Sequence, residues 1–222
     1  RTHPAFSAAV DRNSLRNYMG AMAIAGTQSI YSDIHKLRPG TLLTVSLAQP
    51  DPISRSYWSV EQIANQGVAS PFAGTALEAV DALEVILKDA VRLQMVADVP
   101  LGAFLSGGVD SSTVVALMQA QSTRPVKTFS IGFYEDGYNE AEYAKAVAQH
   151  LGTDHTEMYI TPQQAMAVIP RLPSLYDEPF ADASQIPTFL VSQLARQHVT
   201  VSLSGDAGDE LFCGYSRYTS AM

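Results

Sequence analysis

The feature that most constrains this chain is the run Ser106-Gly107-Gly108-Val109-Asp110-Ser111-Ser112, placed between a short apolar strand pattern (101–105) and a helical pattern (111–121). Gly107 and Gly108 carry no Cβ, so the backbone there can take positive φ and approach an anion closely. Ser106, Ser111 and Ser112 supply hydroxyl donors. The unpaired N–H groups at the start of the helix point at the same spot, and the helix dipole favours negative charge there. A phosphate cradle follows from these features. Asp110 would repel a phosphate unless a cation intervenes, and Mg²⁺ between them resolves the conflict. The bland alternative is a serine- and glycine-rich turn with Asp110 as a helix cap. The run is neither a Gly-Lys-Ser/Thr phosphate loop nor a Gly-x-Gly-x-x-Gly fingerprint.

A second segment has the same construction. The β-branched stretch 199–203 runs into Ser204-Gly205-Asp206-Ala207-Gly208-Asp209-Glu210. Between the two loops, strand patterns at 126–132 and 155–160 alternate with helical patterns at 139–151, 162–169 and 187–197, with Gly152 as a C-cap. Alternation of this kind predicts an α/β fold, a parallel sheet flanked by helices. Both loops then leave the same edge of the sheet, where Asp110 and Asp209 can share a cation. Taken alone, the second loop leaves open the lesser alternative of an ordinary turn with solvated acids.

The earlier chain is less informative. Asp11 is a candidate N-cap for a helix over Leu15 to Met22. A strand is expected at 41–45, a break at 49–52 and a loop at 60–74. Leu77, Val80, Leu83, Leu87, Val91 and Met95 recur at helical spacing and predict a core-packed helix. Residues 172–185 read as a Pro-rich acidic loop. His35, His150, His155 and His198 are scattered, without metal-ligand spacing. The net charge of −8 argues against nucleic-acid binding. No apolar run approaches the roughly 18 residues that span a bilayer, so no membrane role is expected. Charged residues are 16% of the chain, which implies surface covered by another domain or subunit. The lone Cys213 fits a cytoplasmic setting. The chain opens on Arg1 and is expected to be a piece of a longer protein.

The stretch Val99-Pro100-Leu101-Gly102-Ala103-Phe104-Leu105 followed by the Ser-Gly-Gly-Val-Asp-Ser-Ser run resembles the pyrophosphate-loop (PP-loop, N-type ATP pyrophosphatase) signature of glutamine-hydrolysing asparagine synthetases. Phe129 to Phe133, Tyr138-Asn139-Glu140, Asp177 to Asp182 and Leu203 to Glu210 follow in the order and spacing of that family. Tyr31 to Gly40 resembles the end of the family's glutaminase domain and its linker. The resemblance implies an adenine nucleotide α-hydrolase-like fold. It implies residues 1–58 as the tail of an upstream glutaminase domain with linker, and 59–222 as an incomplete ATP-pyrophosphatase domain.

The resemblance also implies the chemistry. ATP activates the side-chain carboxylate of aspartate, pyrophosphate leaves, and ammonia from glutamine displaces AMP. Ser106, Gly107, Gly108, Asp110, Ser111 and Ser112 would hold pyrophosphate, with Asp110 and Asp209 on magnesium. Leu105 and Ile131 would flank the adenosine through apolar contact and backbone groups. Ser204 and Gly205 would meet the nucleotide near the α-phosphate. Asp206, where the family commonly has glutamate, would be catalytic, and Asp177, Glu178 and Asp182 would border the amino-acid substrate. Cys213 stands where the family usually has glycine and is expected to be a buried small residue. The glutaminase cysteine and a later phosphate-contacting lysine are not in this sequence. The piece alone is therefore expected to be inactive, to bind ATP weakly or not at all, and to self-associate. Two alternatives stay open: a sister adenylating amidotransferase acting on another carboxylate, and a nucleotide-binding module without catalysis.

Overall fold

In a computed structural model, which describes residues 3–134 and 139–219, hydrophobic pattern and turn chemistry set most of the elements. In chain order these are α1 (Arg12–Ala21), β1 (Thr41–Ser46), β2 (Gln49–Ser56), α2 (Val60–Ala69), α3 (Ala76–Gln94), β3 (Leu101–Phe104), α4 (Val109–Ala120), β4 (Lys127–Phe133), α5 (Ala141–Leu151) and β5 (Asp154–Ile160). They continue with α6 (Pro162–Met166), a 3-10 turn (Ile169–Arg171), α7 (Leu172–Leu175), α8 (Gln185–Ala195), β6 (Val201–Leu203), α9 (Gly208–Phe212) and α10 (Ser216–Thr219). Tyr138 lies outside the described residues. No described helix is long and apolar enough to cross a membrane.

The chain divides into two compact units. One spans Ala76–Pro170 and Ala183–Met222. Its sheet runs in the order β5-β4-β3-β6, with every neighbouring pair parallel. The register sets Ala103 beside Thr128 and Phe104 beside Phe129, so alternate residues face opposite sides. On one side Ala103 and Leu105 pack with Val91 of α3, Val115 and Met118 of α4, and Ala144 and Ala148 of α5. On the other, Phe104 and Phe129 pack with Leu194 and Ala195 of α8 and with Val199. Helices therefore cover both faces, as the alternating pattern predicted. The chain moves outward from β3 through β4 to β5, then returns to place β6 on the other side of β3. The order thus reverses between β3 and β6, and ligands of such sheets sit beyond the carboxyl ends of the strands at that point.

The α3 stripe is only partly core. Val91 is buried and Leu83, Leu87 and Met95 are half-buried, whereas Leu77 and Val80 are exposed. Helical spacing reports one face of a helix, not how far along its length a partner lies against it.

The other unit spans Arg1–Thr75 and Arg171–Asp182. Asp11 caps α1, its carboxylate accepting from the Ser14 N–H at 2.7 Å. The break expected at 49–52 is instead the first half of β2, which pairs antiparallel with β1 from Thr41↔Ser56 to Ser46↔Gln49. Pro50 and Pro52 are tolerated because a strand of a two-stranded ribbon has one unpaired side. The loop expected at 60–74 begins with α2. Ser59 caps it, accepting from the Gln62 N–H at 3.4 Å. The Ser-x-x-Gln spacing was the signal for that helix. The acidic loop from 172 opens with the single turn α7 and ends where α8 starts at Gln185.

Candidate functional site

The first loop leaves β3 at a point fixed by the core. Leu105 is 1% exposed and packs in the core beneath α4, and its N–H donates to the Phe129 carbonyl at 2.9 Å. This corrects the expected apolar contact with adenosine, because the Leu105 side chain has no exposed face to offer. Ile131, on β4, is half-buried.

Beyond Leu105 the loop is braced by its own hydroxyls. The Ser111 hydroxyl accepts from the Ser106 N–H at 3.2 Å, lies 2.9 Å from the Ser106 hydroxyl and donates to the Gly108 carbonyl at 3.3 Å. The Gly108 N–H donates to Ser106 Oγ at 3.3 Å. Ser111 is buried, so its hydroxyl holds the elbow closed rather than standing free for a ligand. Ser112 lines an open cleft of about 600 Å³ between α4 and α5, and its Oγ is buried with no hydrogen-bond partner. Gly107 sits at φ 83°, and a Cβ there would lie 2.6 Å from both the Ala144 nitrogen and Tyr143 Cβ. The elbow is thus wedged against the first turn of α5, a contact with no signature in the sequence.

Gly108 caps α4 without a side-chain hydrogen bond. Among the described residues, nothing pairs with the N–H groups of Val109, Asp110 and Ser111. Three donors at a helix start, beside a glycine elbow, are suited to an oxyanion.

The second loop leaves β6, the strand next to β3. The Ser204 hydroxyl donates to Asp206 Oδ2 at 3.0 Å. The Gly208 N–H donates to the Gly205 carbonyl at 3.2 Å, and α9 follows. Ala207 and Cys213 flank α9 with left-handed backbones, at φ 74° and 57°. Cys213 is exposed, which corrects its expected burial. A glycine at this position answers a need for positive φ, not for small volume.

The two loops meet. A Cβ on Gly205 would lie 2.6 Å from the Ser111 nitrogen and 3.0 Å from Asp110 Cβ. A Cβ on Gly208 would overlap the Asp110 carboxylate itself. Sequence reasoning missed Gly208, although its place three residues after Gly205 marked a second point of close approach. Asp209 belongs to the same turn, and its Oδ1 lies hard against Gly214. No hydrogen bond or ion pair engages the Asp110 or Asp209 carboxylate among the described residues. No described group of three or more His, Cys, Asp or Glu is placed to hold a metal ion. Two unengaged carboxylates suit a hard cation that takes its other ligands from water and phosphate, as magnesium does.

Asp177, Glu178 and Asp182 belong to the other unit. Glu178 is committed there: Lys36 Nζ approaches its Oε1 at 2.6 Å, and the Ile30 N–H donates to its Oε2 at 3.3 Å. The same lysine donates to the Ile24 carbonyl. Glu178 therefore ties 171–182 to the segment around Lys36, a partner that sequence reading did not find. Tyr31, Lys36, Tyr176, Asp177, Glu178 and Phe180 line a cavity of about 520 Å³ in this unit.

His155 is bound in the sheet, its Nδ1 2.9 Å from Thr128 Oγ1 and its Nε2 3.2 Å from Ser130 Oγ. Burial pushes its pKa below the usual histidine value, opposed by the nearby Glu157 carboxylate. It is a satisfied histidine beneath α5.

The family model described as asparagine synthase matches residues 82–222. Asparagine synthetase [glutamine-hydrolysing] 1 of Bacillus subtilis is 33% identical over 96% of this chain, which covers 32% of that protein. A Methanocaldococcus jannaschii protein provisionally named asparagine synthetase [glutamine-hydrolysing] 2 is 37% identical over 93% of this chain, which covers 39% of that protein. The chain thus spans between 32% and 39% of the length of these relatives. Among solved structures, the NMN synthetase from Francisella tularensis aligns at TM-score 0.42 and 17% identity, over 64% of this chain and 59% of that one.

Proposed function

This chain belongs to the asparagine synthase family, and from that premise we propose that it is the nucleotide-activating part of a glutamine-hydrolysing asparagine synthetase. In this proposal, residues 1–58 are the tail of a glutaminase domain with its linker, and 59–222 begin the ATP-pyrophosphatase domain. The setting is cytoplasmic. The whole enzyme adenylates the side-chain carboxylate of aspartate with release of pyrophosphate. Ammonia drawn from glutamine then displaces AMP to give asparagine.

The observation that carries this is the meeting of the two loops at the strand-order reversal, with Gly205 and Gly208 packed on Asp110. It puts the phosphate-suited N–H groups of α4 beside the acids of the second loop. Chemistry of this type asks the protein for alignment and for neutralisation of phosphate charge rather than for a covalent partner. The roles proposed are those the family resemblance implies. The main chain of Gly107 and Gly108 and the α4 N–H groups cradle the pyrophosphate portion, and Ser106 and Ser111 hold the elbow in shape for it. Ser112 stands one residue further along α4. Ser204 and Gly205 border the α-phosphate, with the Leu105 carbonyl and Ile131 at the adenosine. Asp110 and Asp209 would hold Mg²⁺, which when bound neutralises phosphate charge. Asp206, whose carboxylate accepts from the Ser204 hydroxyl, is the proposed catalytic acid.

Aspartate-dependent ATP–pyrophosphate exchange by the full-length protein tests the proposal. Exchange that requires aspartate is expected. Exchange with another carboxylate instead would move the chain to a sister amide-former. No exchange with any carboxylate would leave only a binding module.

A further inference from the structure

We propose that Gly208 is a positioning residue that sets the orientation of the Asp110 carboxylate from the opposite loop. The inference rests on the nucleotide reading above and adds to it a residue that acts through Asp110.

The geometry separates two reasons for glycine. Where φ is positive, glycine relieves backbone strain; Gly107, at 83°, is such a place. Gly208 is not among the positive-φ residues, so any residue can adopt its backbone. What it lacks is room. A Cβ at 208 would overlap Asp110 Cγ and Oδ2 and lie 2.9 Å from Asp110 Cβ. Its neighbour shows the contrast. Ala207 carries a Cβ at φ 74°, where glycine would be the easier residue. The loop therefore has a methyl where torsion disfavours it, and none where Asp110 needs the space.

Gly208 is held in place from its own side by its N–H bond to the Gly205 carbonyl. Gly205 in turn abuts the Asp110–Ser111 main chain. The wall beside the carboxylate is thus itself backbone, anchored on the backbone it faces. With no hydrogen bond on the carboxylate among the described residues, this wall is what restricts its rotamer. Adding a methyl at 208 forces the carboxylate to turn and misplaces its oxygens toward a cation while leaving the α4 N–H groups untouched.

The test uses the full-length protein and measures ATP affinity by calorimetry in Mg²⁺ and in EDTA. Gly208→Ala is expected to bind ATP about tenfold more weakly in Mg²⁺, the scale of losses when a ligand's supporting contact is removed, and to match wild type in EDTA. Ala207→Gly, the reverse change one residue away, is expected to match wild type in both. In an Asp110→Asn background, Gly208→Ala is expected to add nothing. Should Gly208→Ala fail to fold, Asp110→Ala/Gly208→Ala is expected to fold again, because the overlapped Cγ and Oδ2 are gone. Equal weakening with and without Mg²⁺, unchanged affinity in Mg²⁺, or no regain of folding in the double variant would overturn the inference. Wild type that binds no ATP at all would remove the nucleotide reading itself, and this inference with it.

Discussion

The two loops leave neighbouring parallel strands, but they solve the same backbone problem in opposite ways. The first places glycine where the chain turns left-handed, at Gly107, and wedges that glycine against α5. The second puts Ala207 and Cys213 at its left-handed positions and keeps glycine at 205, 208 and 214, where side chains or main chain crowd in. The first loop is cross-braced by Ser106 and Ser111 and feeds the 12-residue helix α4, while the second feeds the five-residue α9. A rigid cradle opposed by a less braced acid-bearing turn is a division of labour. Under the proposed function, one side fixes where phosphate sits and the other brings charge to it.

The sharpest way to break the comparison is Asp110→Ala, since Asp110 is where the loops touch. In the full-length enzyme it is expected to reduce ATP–pyrophosphate exchange by about 10³-fold or more, as losses of preorganised charge in such sites do. Near-normal exchange would show that the convergence of the loops does not serve the nucleotide.

The next effect falls on stability. Gly107→Ala puts a methyl at φ 83° and 2.6 Å from two atoms of α5. Positive-φ strain and overpacking together are expected to cost about 2–5 kcal/mol. Gly108→Ala meets only Ser106 Oγ, at 3.3 Å, at an ordinary φ of −69°. Its expected cost is within about 1 kcal/mol, the range for a cap position. Urea unfolding of both variants measures the gap. Equal costs would mean that the wedge against α5 is not what holds the elbow.

How far the sequence could be read follows the same physical lines. The parallel sheet, the helices on both its faces and the meeting of the two loops were legible because strand–helix alternation and Ser-Gly dipeptides are local signals. What a residue touches is not local. The burial of Leu105 depends on α3, α4 and α5 arriving together. The crowding at Gly208 depends on Asp110, far away in the chain, and the Glu178–Lys36 pair joins residues on distant segments. In the other unit, Pro50 and Pro52 masked β2 because proline signals a break unless one side of the strand is known to be unpaired. Gly67 masked α2 although Ser59 and Gln62 marked its start. Cys213 was misread because replacement of glycine invites an argument from size, whereas the position is set by torsion.

That torsion supplies the smallest and cleanest test of the comparison. Cys213 is the C-cap of α9, at φ 57° and ψ 39°, and its N–H donates to the Asp209 carbonyl. A residue with a Cβ in this conformation is strained, and glycine is the usual solution at a helix end. The thiol is exposed, so its removal takes little packing with it. Glycine loses more chain entropy on folding, which offsets part of the relief. The net expectation for Cys213→Gly is a gain of about 0.5–1 kcal/mol. That corresponds to a rise of about 1–4 °C in the thermal midpoint for a chain of this size. Gly107→Ala and Cys213→Gly then move in opposite directions, and the part they share is the left-handed turn occupied by glycine in one loop and not in the other. A fall in the midpoint of Cys213→Gly would show that the exposed thiol holds the turn through contacts, and that backbone strain is not what distinguishes the second loop from the first.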